Sequence, residues 1–280
     1  MSKRSPFFHR LFAWYARSAN HPAKLRMLKW IRRFLGFKIL IVEVPGGLMR
    51  LDSSDFLQNQ ILMGGVYEPK TLNLMQRLLK MGDCFVDVGA NVGQYSLAAT
   101  VCVGETGRVI AVEPNPAICT ELLVNRRLSQ AERGIRIVCA ALSNRSGLLN
   151  FTMPPPTNRG ASREATTQQL DQTDWYVVPC VTLAAVLEHF SVERIRVVKI
   201  DVEGSELRVL QGLLNADHPC RPEHILFEFL PRYFSYGEHP QDLLNYLRTH
   251  KYEILNVDGV PYSYEDEIPE DNLWARRETT

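Results

Sequence analysis

The feature that most constrains this chain is an apolar run that stops at a glycine turn and then continues as a predicted helix. The run is Cys84 to Val88, and the turn reads Gly89-Ala90-Asn91-Val92-Gly93. An open α/β sheet holds nucleotide-sized ligands at such a turn. Gly89 allows the backbone to turn tightly and approach the ligand, and Gly93 sits where a side chain would separate helix from strand. The spacing Gly-x-x-x-Gly differs from the dinucleotide pattern Gly-x-Gly-x-x-Gly, so we expect a ligand other than NAD.

Two acids lie at the ends of predicted buried strands. Asp87 must find a donor or a cation, because an unpaired buried carboxylate is costly, and this suits the ammonium of an amino-acid-like ligand. Glu113 follows Gly93 by twenty positions (113 − 93 = 20) and ends the run Arg108 to Val112. Its two acceptor oxygens match the two vicinal hydroxyls of a ribose. Each acid alone could be an ordinary strand-end residue, but their order and spacing favour a nucleoside ligand.

Three segments carry a resemblance to a known family. They read F-V-D-V-G-A-N-V-G-Q-Y-S from Phe85, V-E-P-N-P from Val112 and V-K-I-D-V-E-G-S-E from Val198. With these segments the chain resembles the FkbM-type family of S-adenosylmethionine-dependent methyltransferases from about Tyr67 to about Leu230. The resemblance implies a class I, Rossmann-like α/β fold with a mostly parallel sheet and a terminal antiparallel hairpin. It also implies S-adenosylmethionine as cofactor and a hydroxyl of a sugar, glycan, glycolipid or secondary metabolite as acceptor.

The cofactor site predicted in this way includes residues from the glycine turn, from the second strand and from two positions that the family places around the pocket. These residues are Asp87, Gly89, Asn91, Gly93, Glu113, Leu142 at the adenine, and Tyr67 with Glu68 over the pocket. For Tyr67 and Glu68 a plain loop entering a helix at Pro69 is an equal alternative. The family commonly has Thr-Leu-Asp where this chain has Thr182-Leu183-Ala184, so a role that depends on that acid does not carry over.

The predicted chemical centre is the acid that ends the run Ile195 to Ile200. Asp201 would lie at the carboxyl edge of the sheet, where it could accept the proton of the acceptor hydroxyl or hold Mg²⁺. Lys199 could orient the acceptor. Glu228 lies in another apolar run, and we expect its strand to neighbour that of Asp201. The two carboxylates would suit either Mg²⁺ or hydrogen bonds to a sugar, and a helix-entry cap is the alternative for Asp201.

The region after the chemical centre predicts how the sheet ends. The segments 252–257 and 260–264 read as strands joined by Asp258-Gly259, which indicates a tight hairpin, and the charged tail 265–280 reads as irregular. The polar stretch Pro154 to Asp174 has the composition of a mobile loop, either an acceptor-binding lid or a disordered insertion.

Charge is unevenly distributed along the chain. Of the 32 Lys and Arg residues, ten lie within residues 1–40, which hold none of the 31 acids, so the remainder has a balance of 22 − 31 = −9. We therefore predict a basic amphipathic helical extension over residues 1–40 and a catalytic domain over residues 41–280. The extension could lie on an anionic membrane surface or pack on the domain. We do not expect nucleic-acid binding, because no aromatic-basic reading module accompanies these bases.

The cysteines and the hydropathy suggest a location. Six scattered cysteines without a Cys-x-x-Cys pair predict reduced thiols, and no apolar run is long enough to span a membrane. A cytoplasmic protein, peripheral to the inner face of the membrane if the extension binds there, is the prediction. Two other functions stay open at this point: a nucleoside-binding scaffold or sensor without methyl transfer, and an NAD-dependent oxidoreductase.

Overall fold

The structure is a computed structural model and describes residues 38–132, 134–165, 174–215, 218–230, 239–264, 266 and 268–278. The predicted basic extension lies almost entirely outside these ranges, so its helices and its membrane contact stay predictions. The first strand begins at Ile39, within the last residues assigned to that extension. None of the described helices combines the length and the apolarity that crossing a membrane requires.

The described ranges form alternating strands and helices. The strands are β1 (Ile39–Val44), β2 (Gly47–Asp52), β3 (Cys84–Val88), β4 (Arg108–Val112), β5 (Ile135–Val138), β6 (Ala141–Leu142), β7 (Gly147–Thr152), β8 (Trp175–Val181), β9 (Val197–Ile200), β10 (His224–Glu228), β11 (Tyr252–Asn256) and β12 (Asn272–Arg277). The helices are α1 (Phe56–Gly64), α2 (Pro69–Leu78), α3 (Gln94–Val103), α4 (Pro116–Leu128), α5 (Leu183–His189), α6 (Glu206–Leu214) and α7 (Pro240–Thr249), and a short 3₁₀ turn spans Pro269–Asp271.

The main sheet has seven strands in the order β11-β12-β10-β9-β3-β4-β5. Neighbouring strands from β10 to β5 pair in parallel, whereas β12 is antiparallel to both β10 and β11. The central strands are buried on both faces, which explains why their sequences read as nearly continuous apolar runs. The predicted α/β fold with a mostly parallel sheet and a terminal antiparallel hairpin is confirmed.

The partner in that hairpin differs from the prediction. Residues 260–264 form only an isolated bridge between Pro261 and Leu255, and the second arm is β12, inside the tail predicted to be irregular. The tail was predicted to be irregular because it is rich in charged residues. Two of these, Arg276 and Arg277, lie at the exposed end of β12, past its buried part. Leu273, Trp274 and Ala275 are the apolar part, and they are buried because β12 lies between two other strands. Tertiary burial therefore overrides the local polarity of this segment.

Helices cover both faces of the sheet, and each face has its own apolar core. Helices α2, α3 and α4 pack with the β1–β2 hairpin on one face, and α5, α6 and α7 pack on the other. The hairpin is fastened to α4 because Asn125 Oδ1 accepts a hydrogen bond from Arg50 N at 2.8 Å. A separate three-stranded sheet, β6-β8-β7, follows β5 and stands beside the edge where the parallel strands end.

One cysteine pair contradicts the prediction of reduced thiols. Cys119 in α4 and Cys139, just after β5, form a disulfide, whereas Cys84, Cys102, Cys180 and Cys220 are free. Twenty residues separate the two bonded cysteines, and the fold brings them together because α4 packs on β5. The cytoplasmic prediction that relied on six reduced thiols loses that support.

Candidate active site

A cavity of about 400 Å³ opens at the edge where β3, β4, β9 and β10 end. This volume lies within the range of small-molecule sites. The chain places β4 and β5 on one side of β3 and then β9 and β10 on its other side, so the order in which strands are added changes direction at β3. Such a switch point leaves a crevice outside the carboxyl ends of parallel strands, because the connections leave in opposite directions. The fold therefore creates the cavity.

Most of the predicted site residues line this cavity. They are Tyr67, Gly89, Asn91, Glu113, Leu142, Lys199, Asp201 and Glu228. Gly93, Asp87 and Glu68 lie behind its wall. A Cβ atom on Gly93, whose φ is +95°, would be 2.4 Å from the Leu122 side chain, so this glycine allows α4 to pack closely.

Gly89 is the point where two neighbouring strand ends meet. Its φ is +79°, and a Cβ atom placed on it would lie 1.8 Å from the backbone oxygen of Asp201. The backbone of Asp201 in turn donates a hydrogen bond to Val88 O at 3.0 Å. The close approach that the sequence predicted at this glycine is therefore made by the backbone of the next strand. Any side chain at position 89 would force β3 and the segment after β9 apart.

Glu113 presents a carboxylate that is fixed by the turn. Its two oxygens accept hydrogen bonds from Asn91 N at 2.9 Å and from Asn115 N at 2.8 Å. Asn91 itself has a φ of +49°, which aims its N–H at the acid. Burial raises the pKa of Glu113 to about 7, and the two backbone hydrogen bonds oppose that rise. Each oxygen accepts one of these two hydrogen bonds from the described part of the chain and has a second lone pair, so the carboxylate can accept two further hydrogen bonds from a ligand.

Asp87 is placed differently from the prediction that it faces the ligand. Its carboxylate is buried behind the wall and accepts a hydrogen bond from Ser96 Oγ at 2.6 Å. Burial raises its pKa to about 6, while Lys199, opposite Asp87 in the β3–β9 ladder, lowers it. Contact of Asp87 with a ligand ammonium stays a prediction.

Lys199 and Asp201 form an ion pair at the centre of the site. Lys199 Nζ lies 2.7 Å from Asp201 Oδ2, 4.0 Å from Glu68 Oε2 and 4.6 Å from the centroid of the Tyr95 ring. The Lys199 side chain is 2% exposed and that of Asp201 is 25% exposed, so the carboxylate is the partner that reaches the cavity. Burial lowers the pKa of Lys199, but the carboxylates of Asp201 and Glu68 outweigh it and raise the pKa above its ordinary value. The ammonium therefore stays charged and keeps Asp201 in place.

Glu68 supports this pair from outside the cavity. It has a φ of +49° at the start of α2, and its carboxylate accepts hydrogen bonds from Tyr95 Oη at 2.7 Å and Asn272 Nδ2 at 2.9 Å. Burial raises its pKa, and the charge of Lys199 opposes this rise. Its neighbour Tyr67 lines the cavity, and the backbone of Tyr67 is held at both N–H and C=O by the Gln94 side chain.

Glu228 ends β10 beside Asp201, as predicted, since Phe227 pairs with Ile200 one residue earlier. Burial raises its pKa to about 11, and the charges of Asp201, Glu203 and Glu206 add to this effect. Within the described ranges no group of three or more His, Cys, Asp or Glu side chains could hold a metal ion. The cation beside Asp201 is the Lys199 ammonium, so these residues give no support to the predicted Mg²⁺ site.

Residues 155–165, here called the roof, close the cavity from above. Phe56 N donates to Thr157 O at 2.6 Å at one end, and Ala165 N donates to Asn150 O at 2.7 Å at the other. In the middle, Gly160 packs on Asn91, where a Cβ atom would lie 2.1 Å from Nδ2. The described half of the predicted mobile loop is therefore held by hydrogen bonds at both ends. It covers the side of the cavity that the glycine turn forms.

Arg159 fixes the roof and was missed at the sequence level. Its guanidinium lies 2.5 Å from Glu121, 3.6 Å from Asp52 and 3.7 Å from Asp55, and its backbone N donates to Asp55 Oδ2 at 2.9 Å. Asn115 Nδ2 donates to Arg159 O at 3.0 Å, which ties the roof to the segment that follows Glu113. These partners are far apart in sequence, so no local pattern could have identified the arginine.

Replacing Arg159 by methionine is expected to loosen the roof. Three acids would lose their common cation, and a part-buried pair of this kind contributes about 1–2 kcal/mol. We expect cofactor dissociation to become roughly tenfold faster, which corresponds to about 1.4 kcal/mol. Stopped-flow measurement of cofactor release tests this. Arg276→Met, which removes an exposed pair with Glu253, is the matched control. Equal release rates in both variants would show that Arg159 does not hold the roof.

Comparison with known proteins adds a family match. The family model described as the Methyltransferase FkbM domain matches residues 87–254. A hexuronic acid methyltransferase, AglP, of Haloferax volcanii is 29% identical over 150 residues, which cover 53% of this chain and 57% of that protein. A methyltransferase, SdnD, of Sordaria araneosa is 29% identical over 154 residues, covering 46% of this chain and 59% of that protein. The chain thus spans less than two thirds of the length of either relative.

Among solved structures, a methyltransferase FkbM from Methylobacillus flagellatus is similar to this chain with a TM-score of 0.47 and 18% identity. That similarity covers 95% of this chain and 57% of the other.

Proposed function

Since the chain belongs to the FkbM methyltransferase family, we propose that it transfers a methyl group from S-adenosylmethionine to a hydroxyl of a sugar or another small metabolite. The observation that carries the proposal is the position of Asp201. This carboxylate is held by Lys199 at 2.7 Å and reaches into the cavity that Glu113 also lines. The relative that acts on a hexuronic acid supports a sugar as acceptor.

The described residues fit the cofactor in two respects. The two oxygens of Glu113, each with a lone pair still free, match the ribose hydroxyls. Beside Glu113, apolar side chains form a slot suited to adenine: Ala140, Ala141, Leu142, Leu149 and Phe151. When bound, S-adenosylmethionine would supply an electrophilic methyl group, which would pass from sulfur to the acceptor oxygen with S-adenosylhomocysteine as the leaving group. We propose that Asp87, from behind the wall, contributes its charge near the methionyl part of the cofactor.

Asp201 is the proposed proton acceptor. A hydroxyl becomes a better nucleophile as its proton moves to a base, and this carboxylate is the part of the central ion pair that reaches the cavity. Lys199 acts on the carboxylate rather than on the acceptor, because its ammonium is buried against Asp201, Glu68 and the ring of Tyr95. The protein's further contribution is placement, since a bound acceptor and methyl group react as neighbours.

The proposal is tested by calorimetry and by methyl transfer. We expect S-adenosylmethionine and S-adenosylhomocysteine to bind and NADH not to bind, and radiolabelled methyl to appear on hydroxyl acceptors of a sugar panel. Binding of both cofactor forms without transfer to any hydroxyl would support the alternative of a nucleoside-binding module.

Cofactor affinity should fall as the pH drops through about 7. Glu113 accepts hydrogen bonds from ribose as a carboxylate, and its pKa of about 7 means that it takes up a proton below that pH. The affinity should then weaken by up to roughly tenfold per pH unit. Calorimetry from about pH 8 to about pH 6 measures the effect. Glu113→Gln should bind weakly at both pH values, with a flatter profile. This variant separates the titration of Glu113 from that of Asp87 and of Glu206, because burial also raises the pKa of Glu206 to about 7. A flat wild-type profile would refute the role of Glu113.

A further inference from the structure

The described lining of the cavity is acidic. Among the described residues its lining contains six acids and one base. The acids are Glu113, Glu164, Asp201, Glu203, Glu228 and Asp271, and the base is Lys199. The cofactor carries a net positive charge through its sulfonium, which offsets one of these carboxylates. Asp201 is paired with Lys199, Glu164 is paired with Arg208, and Glu228 is neutral because burial raises its pKa. The formal charges of the remaining lining acids still outweigh that of the cofactor.

The lining base is not available to an acceptor. Lys199 Nζ is 2.7 Å from Asp201 and packs over the Tyr95 ring, and its side chain is 2% exposed. Arg208 lies 3.1 Å from the lining residue Glu164 and is paired with it. A carboxylate or phosphate on the acceptor would therefore find no free cation among the described lining residues. A charge buried without such a partner is strongly unfavourable.

Glu228 offers a neutral group instead. It lines the cavity beside Asp201, at the ends of paired strands. Burial raises the pKa of Glu228 to about 11, the charges of Asp201, Glu203 and Glu206 add to this rise, and the ammonium of Lys199 opposes it. The carboxyl group therefore keeps its proton at neutral pH. A protonated carboxyl both donates and accepts, as a hydroxyl does, so it matches a polyhydroxyl ligand.

We propose that the acceptor is uncharged around its reacting hydroxyl, a neutral sugar rather than a hexuronic acid, and that Glu228 recognises it as a neutral hydrogen-bonding group. This inference rests on the proposed methyl transfer and narrows its acceptor. It separates this chain from the Haloferax volcanii relative, which is named for a hexuronic acid. In this assignment Glu228 binds the acceptor, the lack of a free cation among the described lining residues sets the preference for a neutral sugar, and Asp201 stays the base.

The test uses matched pairs of acceptors. Alkyl glucosides and galactosides are compared with the corresponding glucuronides and galacturonides, at saturating S-adenosylmethionine, and transfer of radiolabelled methyl gives kcat/KM for each. We expect the neutral member of each productive pair to be preferred by on the order of ten to a hundredfold, the effect of one uncompensated like charge. Glu228→Gln should keep the preference, because one neutral group replaces another. Glu228→Lys should reduce or reverse it.

Each outcome has a distinct meaning. Equal or better transfer to the hexuronides by the wild-type protein would overturn the inference and leave the proposed methyl transfer intact. Transfer to neither member of any pair, with cofactor binding retained, would overturn this inference, which requires a sugar, and leave methyl transfer to another metabolite as the proposed function. The wild-type ratio decides the matter even if Glu228→Lys fails to fold, and a melting curve with S-adenosylhomocysteine identifies that case.

Discussion

Replacing Asp201 by asparagine is expected to lower kcat for methyl transfer by about 10²- to 10⁴-fold, the usual contribution of a positioned base. Asparagine has the shape of aspartate but cannot take up the acceptor's proton. Its amide oxygen can still accept a hydrogen bond from Lys199, whose ammonium lies 2.7 Å from the present carboxylate. Cofactor affinity should therefore change by no more than about threefold, well under 1.4 kcal/mol. Single-turnover kinetics and calorimetry with S-adenosylhomocysteine measure the two quantities separately.

The control for this variant is the same substitution in an ion pair elsewhere. Asp258 pairs with Lys70 at 2.9 Å on the surface, so Asp258→Asn removes a charge beside a lysine without touching the cavity. We expect wild-type turnover in the control. If Asp201→Asn also kept wild-type turnover, Asp201 would be a residue of the turn before α6 and not the base.

Gly89→Ala should lower both stability and cofactor affinity. The new methyl group would lie 1.8 Å from the Asp201 backbone oxygen, so β3 and the segment after β9 must separate. Alanine at a φ of +79° adds about 1–2 kcal/mol of backbone strain. We expect the free energy of unfolding to fall by roughly 2–5 kcal/mol, and cofactor affinity to fall by at least about tenfold. Urea titration and calorimetry give the two values.

A control variant at a second glycine separates the effect of backbone strain from the effect of a steric clash. Gly82 has a φ of +85°, but the nearest atom to a Cβ there is Thr106 Oγ1 at 3.6 Å. Gly82→Ala therefore carries the strain alone, and we expect a loss of about 1–2 kcal/mol with unchanged cofactor affinity. Similar losses of stability in the two variants would mean that the approach of the two strand ends at Gly89 is not tight.

The sequence predicted those site residues that directly follow a predicted strand. Gly89, Glu113 and Asp201 each follow an apolar run, and parallel strands bring such residues to one edge. The position of Asp87 relative to the strand end did not predict which face of the sheet its side chain lies on. A strand residue one position before the last points to the opposite face from its neighbours, and the sequence does not say which face is the cavity.

Long-range pairing accounts for the other differences. Arg159 meets acids more than thirty residues away, and β12 is ordered because it fills a gap between β10 and β11. Neither contact has a local signature, since the partners come together only when the whole sheet is assembled. The disulfide between Cys119 and Cys139 is also a contact without a local signature, because a separation of 20 residues matches no short cysteine motif.

The placement of β12 has a consequence for how the protein is made. During synthesis β10 and β11 leave the ribosome well before residues 272–277, so both strands wait with unpaired edges. Exposed edges of this kind are sites of intermolecular pairing and aggregation. Asn272 also donates a hydrogen bond to Glu68, which lies beside Lys199, the partner of the proposed base Asp201. The support of Lys199 and the proposed base is therefore complete only when residues 272–277 have been synthesised, and until then we expect β10 and β11 to be open to association with other chains.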